Sequence, residues 1–304
     1  MVVCCGYSAL CGSGCEKLFI EVDHTVLIDD DMAKLLSVNL LQRIVVALVG
    51  IPLLLWLIEV GGIWFFSFFL LLALLAAFEF HRLARHKAKP PALWIVLAVT
   101  ALFQLNFYMH LLEVWELLLA VVLALLVMEL FLKDGSPLLN LGAIFPGLLY
   151  VNLSFGSLLR LRLEVGDGNG VTMVFLLFFC VWAADIFAYF GGSTLGGRFI
   201  HRKLFERLSP HKTWEGFLSG LAGSVAASLI YSSFVPQLSL TKALLTGLLI
   251  GLASPAGDLI ESMFKRDAGV KDSSHLIPGH GGVLDRFDTI MFVSPFIYFI
   301  TTRL

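Results

Sequence analysis

Residues 171–190 read VTMVFLLFFCVWAADIFAYF, an apolar run with a single charged side chain, Asp185. A helix that crosses a bilayer needs roughly 20 such residues, so this stretch has the length of one span. Comparable runs lie at about 44–60, 63–80, 92–110, 114–132, 138–159, 214–235, 241–263 and 283–301. The chain of 304 residues is 58% hydrophobic and only 14% charged, with a mean hydropathy of +0.89. A soluble domain of this size does not carry that excess. The expected fold is therefore all-α, a polytopic integral membrane protein with about nine transmembrane helices. Gly61-Gly62 predicts a tight turn between the first two. The run 138–159 is the weakest, because Pro146, Gly147 and Asn152 interrupt it. It predicts a broken or buried helix, since irregular backbone at membrane depth is tolerated when protein covers it.

Orientation follows from the Lys and Arg residues. With the N-terminus inside, the loops 81–91, 133–137, 191–213 and 264–282 and the N-terminal segment hold most of them, and Arg160, Arg162, Lys242 and Arg303 fall outside. The asymmetry predicts N-in and C-out, at the cell inner membrane, with the polar motifs open to the cytoplasm. No internal repeat or low-complexity linker is evident, so residues 32–304 read as one integral membrane domain with its catalytic elements in 182–288.

The first 31 residues differ from the rest. They carry Glu16, Glu21, Asp23 and Asp29-Asp30-Asp31 without an apolar core, so they are no signal peptide. They read as a disordered tail or as an over-extended start. Cys4, Cys5, Cys11 and Cys15 match no common zinc spacing, and no metal or disulfide role is expected for them.

Four polar islands lie in the C-terminal half. Asp185 is followed by GGSTLGGR, residues 191–198, which resembles no phosphate loop and fits a turn with close backbone packing. Asp185 itself suits either a structural hydrogen bond or a polar cavity. LSPHKTWEG, residues 208–216, reads as a turn or helix start at Ser209-Pro210, with Lys212, Thr213 and Glu215 in its first turn. A helix N-terminus with a lysine and hydroxyls favours a phosphate, or is simply a capped end with a basic anchor. In SPAGDLIESMFKR, residues 254–266, Asp258 and Glu261 are three apart on one helix face, and Ser262 lies one turn past Asp258. Two buried carboxylates repel unless a cation joins them, and magnesium accepts one or two carboxylates plus substrate phosphates. A salt bridge to Lys265 or Arg286 is the plainer reading. In PGHGGVLDRFD, residues 278–288, glycines permit close approach of a ligand, and Asp285 and Asp288 sit at a helix start around Arg286. Acidic metal ligands, basic clamps and no nucleophile–base pair together suit metal-assisted phosphoryl or nucleotidyl transfer. The rival class is an ion-coupled transporter, in which Asp258, Glu261 and Asp285 would line a pathway. No inverted repeat supports that.

The pattern S-x-F-K-R-x4-K-D-x-S-x2-I-P-x-H-G-G-V-x-D-R-F-D, from Ser262 to Asp288, resembles the signature of the phosphatidate cytidylyltransferases, or CDP-diacylglycerol synthases. The segments around Asp185, LSPHKTWEG and SPAGDLIES resemble that family in sequence and order, with His211 where many members carry another basic residue. The likeness covers about residues 40–304. It implies that CTP and phosphatidate give CDP-diacylglycerol and pyrophosphate, with Mg2+ as cofactor, and a second metal ion is compatible with it. It also implies a lipid bilayer setting, a homodimer and no nucleic-acid partner. Asp258 and Asp285 are then the expected metal ligands, with Glu261 supporting. Lys265, Arg266, Lys271 and Arg286 are expected to bind CTP or lipid phosphate. Lys212, Ser209 and Thr213 are expected on phosphate or pyrophosphate. Asp185 and Ser262 would line the cavity, and Gly281 and Gly282 would let backbone approach the nucleotide. His280 suits a phosphate contact or a structural bond, while Asp272 and Asp288 would orient the cations. A CTP-dependent transferase acting on a polyprenol or an archaeal-type lipid is the alternative.

Overall fold

A computed structural model describes residues 42, 44–165, 169–274, 276–277 and 281–303. The tail expected over 1–31, with its cysteines, lies outside the described residues. All nine expected runs are helical: α1 Ile44–Val60, α2 Gly62–Ala84, α3 Leu93–Met109, α4 Val114–Leu130, α5 Pro137–Leu163, α6 Asn169–Leu195, α7 Trp214–Phe234, α8 Leu240–Asp267 and α9 Leu284–Arg303. Five of them, α2, α5, α6, α7 and α8, are long and apolar enough to cross a membrane.

The sequence anticipates the turn at Gly61-Gly62, where both residues have positive φ, 65° and 52°. It misreads α5. That helix is continuous over 27 residues despite Pro146. Pro137 starts it at a position whose N–H has no helical partner anyway. Gly147 and Gly156 do not break it: a Cβ at either position would run into the ring of Phe80 or Phe107. They are the notches by which α2 and α3 approach α5. Small residues allow such contact in a bilayer, where apolar burial gives helices little reason to associate. Gln104 of α3 donates to Asn152 Oδ1 at 3.2 Å, so Asn152 is an interhelical tie.

The helices alternate in direction, and the ties at their ends record this. At one end, Arg162 of α5 donates to Ile58 O at 2.5 Å and Glu59 O at 2.9 Å, satisfying the last carbonyls of α1. Tyr298 of α9 donates to Glu164 Oε2 at 2.5 Å on the same side. At the other end, the Lys89 amide donates to Asn140 Oδ1 at 2.9 Å, and Asn140 donates to the buried Glu129.

α6 and α7 lie against each other along a glycine seam. Gly191 abuts Ser219, Gly216 the carbonyl of Ala188, and Gly220 the carbonyl of Ala184. The segment from Gly191 therefore continues α6 as far as Leu195 rather than turning at once. After it comes a two-stranded antiparallel hairpin, β1 Lys203–Phe205 and β2 Ser209–Thr213, with Lys203 opposite Thr213 and Phe205 opposite Ser209. This hairpin and a single antiparallel bridge between Ile277 and Gly281 are the departures from an all-α fold among the described residues. The helix start expected at Ser209-Pro210 is displaced to Trp214, because Pro210 sits in an extended strand and Thr213 caps α7 instead, accepting from Gly216 N at 3.1 Å. Phe65, Phe69, Phe155 and Phe178 are fully buried, whereas Leu138 is 86% exposed and Phe234 79%. That outward apolar surface suits lipid, not water.

Candidate active site

The polar islands meet where the second half of α8, the first turn of α9 and β2 adjoin. α8 places Asp258, Glu261 and Lys265 on one face by its i, i+3, i+4 spacing. α9 opens with Asp285 and brings Asp288 round one turn later. Carboxylate oxygens of Asp258, Glu261 and Asp288 all lie within 4.8 Å of one another. Opposite oxygens of an octahedral magnesium site stand about 4 Å apart, twice the 2.0–2.1 Å bond length, so a small side-chain shift would close the group on one ion. Glu261 is buried, and its Oε1 has no hydrogen-bond partner. An acceptor left in that state costs folding free energy unless a ligand uses it, and a divalent cation fits.

The sequence reading put Asp285 in this group and Asp288 beside it. In the structure the Asp288 carboxylate lies with those of Asp258 and Glu261, and Asp285 lies against Lys265. Asp285 Oδ1 takes the Lys265 ammonium at 2.6 Å. Its Oδ2 accepts from Gly282 N at 2.8 Å, Ser273 Oγ at 2.8 Å and Ser273 N at 3.2 Å. Asp285 thus ties the signature loop to α9 and, through Lys265, to Glu261 Oε2 at 3.0 Å.

Lys212 reaches in from β2 and forms an ion pair with Asp258. The strand register sends adjacent side chains to opposite faces, so Lys212 points to α8 while Thr213 serves α7. Asp185 lies within electrostatic reach of Asp258 and Lys212, on the open side of α6. Ser209 is half-buried on β2, and Ser262 is half-buried on α8. Arg266, Lys271, Asp272 and Arg286 stand exposed around the rim, with Arg266 Nη1 donating to Val270 O at 3.4 Å. His280 lies outside the described residues. Gly281 has φ +84°, a left-handed conformation that favours glycine. Gly282 is bare for another reason: a Cβ there would strike Ser273 Oγ and the carboxylate of Glu79.

Glu79 is a residue the sequence reading passed over. It lies on α2, is wholly buried, and accepts from Ser273, Ser274, Val283 and Leu284. Its signal was a lone carboxylate in an apolar helix, masked by the adjoining basic run 81–91. Glu215, read only as part of a helix's first turn, has a further part: its Oε1 accepts from Phe199 N at 3.0 Å and Ile200 N at 2.8 Å, folding the loop after α6 against α7. Tyr150 of α5 donates to Asp288 O at 3.1 Å, a tie no motif announces.

Residues 41–304 match the model of the cytidylyltransferase family. Among curated proteins, the chain is 35% identical over 292 residues to a phosphatidate cytidylyltransferase of Synechocystis, covering 86% of this chain and 97% of that one. It is 37% identical to one from Brucella abortus, covering 86% and 92%, and 33% identical to one from Bacillus subtilis, covering 86% and 98%. With the match spanning every helix that builds the site, the chain belongs to the cytidylyltransferase family.

Proposed function

We propose that this protein transfers the cytidylyl group of CTP to phosphatidate, yielding CDP-diacylglycerol and pyrophosphate. A phosphate oxygen of phosphatidate attacks the α-phosphorus of CTP, the bond from that phosphorus to the β-phosphate oxygen breaks, and pyrophosphate leaves. The observation that carries the reading is the meeting of Asp258, Glu261 and Asp288 with Lys212 beside them. Two polyanions must be brought together, and the cost is electrostatic. The substrate phosphate is itself the nucleophile, which agrees with the lack of an activated serine or cysteine in the cluster.

Asp258, Glu261 and Asp288 would hold Mg2+, which when bound neutralises phosphate charge and orients the triphosphate. Lys212 exchanges its partner Asp258 for a phosphate or the departing pyrophosphate. Arg266, Lys271 and Arg286 at the rim receive the triphosphate or the lipid phosphate. Ser209 and Ser262 supply hydroxyl donors, Thr213 caps α7 and so fixes the strand that carries Lys212, and Asp185 orients Lys212. Lys265 holds Glu261 and Asp285 at fixed separation.

We place the site on the cytoplasmic side of a bacterial inner membrane, with nine spans, N-in and C-out. What supports this is the alternation of the helices. It gathers the basic segment 81–91, the hairpin and the signature loop at one end. CTP is also on that side.

The test is pyrophosphate release by the purified full-length protein. It should require CTP, phosphatidate and Mg2+ together. Release that ignores phosphatidate and follows a polyprenol would transfer the reading to another lipid, and no release at all would favour transport.

A further inference from the structure

We propose that Glu79 is a positioning residue for the transfer reaction: from the N-terminal half of the chain it fixes the loop and helix start that carry the acidic site. This rests on the transfer reading for its kinetic readout. Its structural basis is independent of that reading.

Glu79 is 0% exposed. A carboxylate taken out of water is tolerated only if donors replace the water. Four do, two on each oxygen. Oε1 accepts from Ser274 Oγ at 2.5 Å and Val283 N at 2.9 Å. Oε2 accepts from Ser273 Oγ at 3.0 Å and Leu284 N at 2.9 Å. The two amides are the free N–H groups at the start of α9, where a negative charge is favoured. The two serines come from the loop before the glycine turn. One side chain therefore staples that loop to the helix.

Gly282 has no side chain because this carboxylate occupies the space beside it. The Ser273 hydroxyl, with one proton to give, stands 3.0 Å from Glu79 Oε2 and 2.8 Å from Asp285 Oδ2. Asp285 in turn holds Lys265, and Lys265 holds Glu261. Glu79 thus sets the spacing of α8 against α9, and with it Glu261 against Asp288, without touching the acidic group itself. A carboxylate is required. The amide of glutamine has the same shape but would turn an N–H2 toward two of the four donors.

The experiment uses the full-length protein in detergent, with wild type, Glu79→Gln, Ser274→Ala and Gln104→Leu compared. Melting temperature, kcat and KM for CTP, and Mn2+ affinity by electron paramagnetic resonance are measured on each. A misplacement of about 1 Å at a reacting centre can cost about a hundredfold, so Glu79→Gln should lose kcat on that scale with KM for CTP little changed. Its Mn2+ affinity should fall by about 10–100-fold, as when partners that orient metal ligands are removed. Ser274→Ala removes one arm of the staple and should give the same signature at smaller size. It also decides the matter if Glu79→Gln does not fold. Gln104→Leu, which cuts a buried tie remote from the site, should lower the melting temperature and leave kcat intact.

Folded variants at Glu79 and Ser274 with wild-type kcat and Mn2+ affinity would overturn the proposal. So would losses that only track the unfolded fraction. A wild type that binds Mn2+ but makes no CDP-diacylglycerol would sink the phosphatidate reading alone, and Glu79 would then stand or fall on the Mn2+ affinities.

Discussion

Lys265 on α8 lies 2.6 Å from Asp285 on α9, with both side chains almost wholly out of solvent. The same ammonium is 3.0 Å from Glu261. Removing one partner of a buried pair leaves the other charge unpaired, which costs about 3–5 kcal/mol. Lys265→Met should therefore lower the melting temperature and abolish transfer together. Lys265→Arg should recover stability better than activity, because a planar fork cannot occupy the place of a point charge between two carboxylates. Thermal unfolding read beside turnover checks both.

The proposed metal role of Asp288, in place of Asp285, has a distinct signature. Asp288→Asn should raise the Mg2+ concentration needed for half-maximal activity by at least about tenfold, with activity partly regained at high Mg2+. Asp258→Asn should behave alike. Asp285→Asn should abolish transfer, and extra Mg2+ should not restore it, since its partners are Lys265, Ser273 and Gly282. A Mg2+ titration of the three variants distinguishes them. Rescue of Asp285→Asn by Mg2+ would return that residue to the metal group.

Gly282→Ala tests how tightly the loop is built. The new Cβ meets Ser273 Oγ and both oxygens of Glu79. Overpacking of this kind costs about 1–3 kcal/mol. Activity should fall further than stability, because the atoms displaced are those that hold Asp285. Circular dichroism melting and turnover on the same preparation give the comparison.

Lys87→Ala should change little. Its ion pair with Asp267 spans 3.4 Å between side chains that are 54% and 70% exposed, and such surface pairs contribute about 0–1 kcal/mol. Turnover within twofold of wild type is expected, an about-unity ratio for a pair of that kind. A large loss would mean that the rim of the site extends across the loop 81–91.

Most of the fold could be read from the sequence because membrane helices are written in runs of apolar residues. The runs from 44–60 to 283–301 each became a helix. What misled was local chemistry whose meaning depends on a distant neighbour. Pro146 and Gly147 leave a broken or a buried helix open until the Phe80 ring fills the notch. Ser209-Pro210 looks like a helix start until β1 pairs with it. At the site, Asp258, Glu261, Lys265 and Lys212 were legible from helix spacing and from charge in an apolar setting. The placement of Asp288, rather than Asp285, beside Asp258 and Glu261 was not, because Asp285 is held by Ser273, the Gly282 amide and Lys265. Glu79 lies 194 residues from Ser273 in the chain, and no local motif records such a contact.

Following the α-phosphate of CTP shows whether this protein moves a cytidylyl group, and to which lipid. Purified protein is given CTP labelled at that phosphate, Mg2+ and an equal mixture of phosphatidate and polyprenol in detergent. The label should appear in CDP-diacylglycerol, with one pyrophosphate released for each lipid labelled, and Asp285→Asn should abolish it. Label on the polyprenol, or pyrophosphate released without labelled lipid, would contradict it.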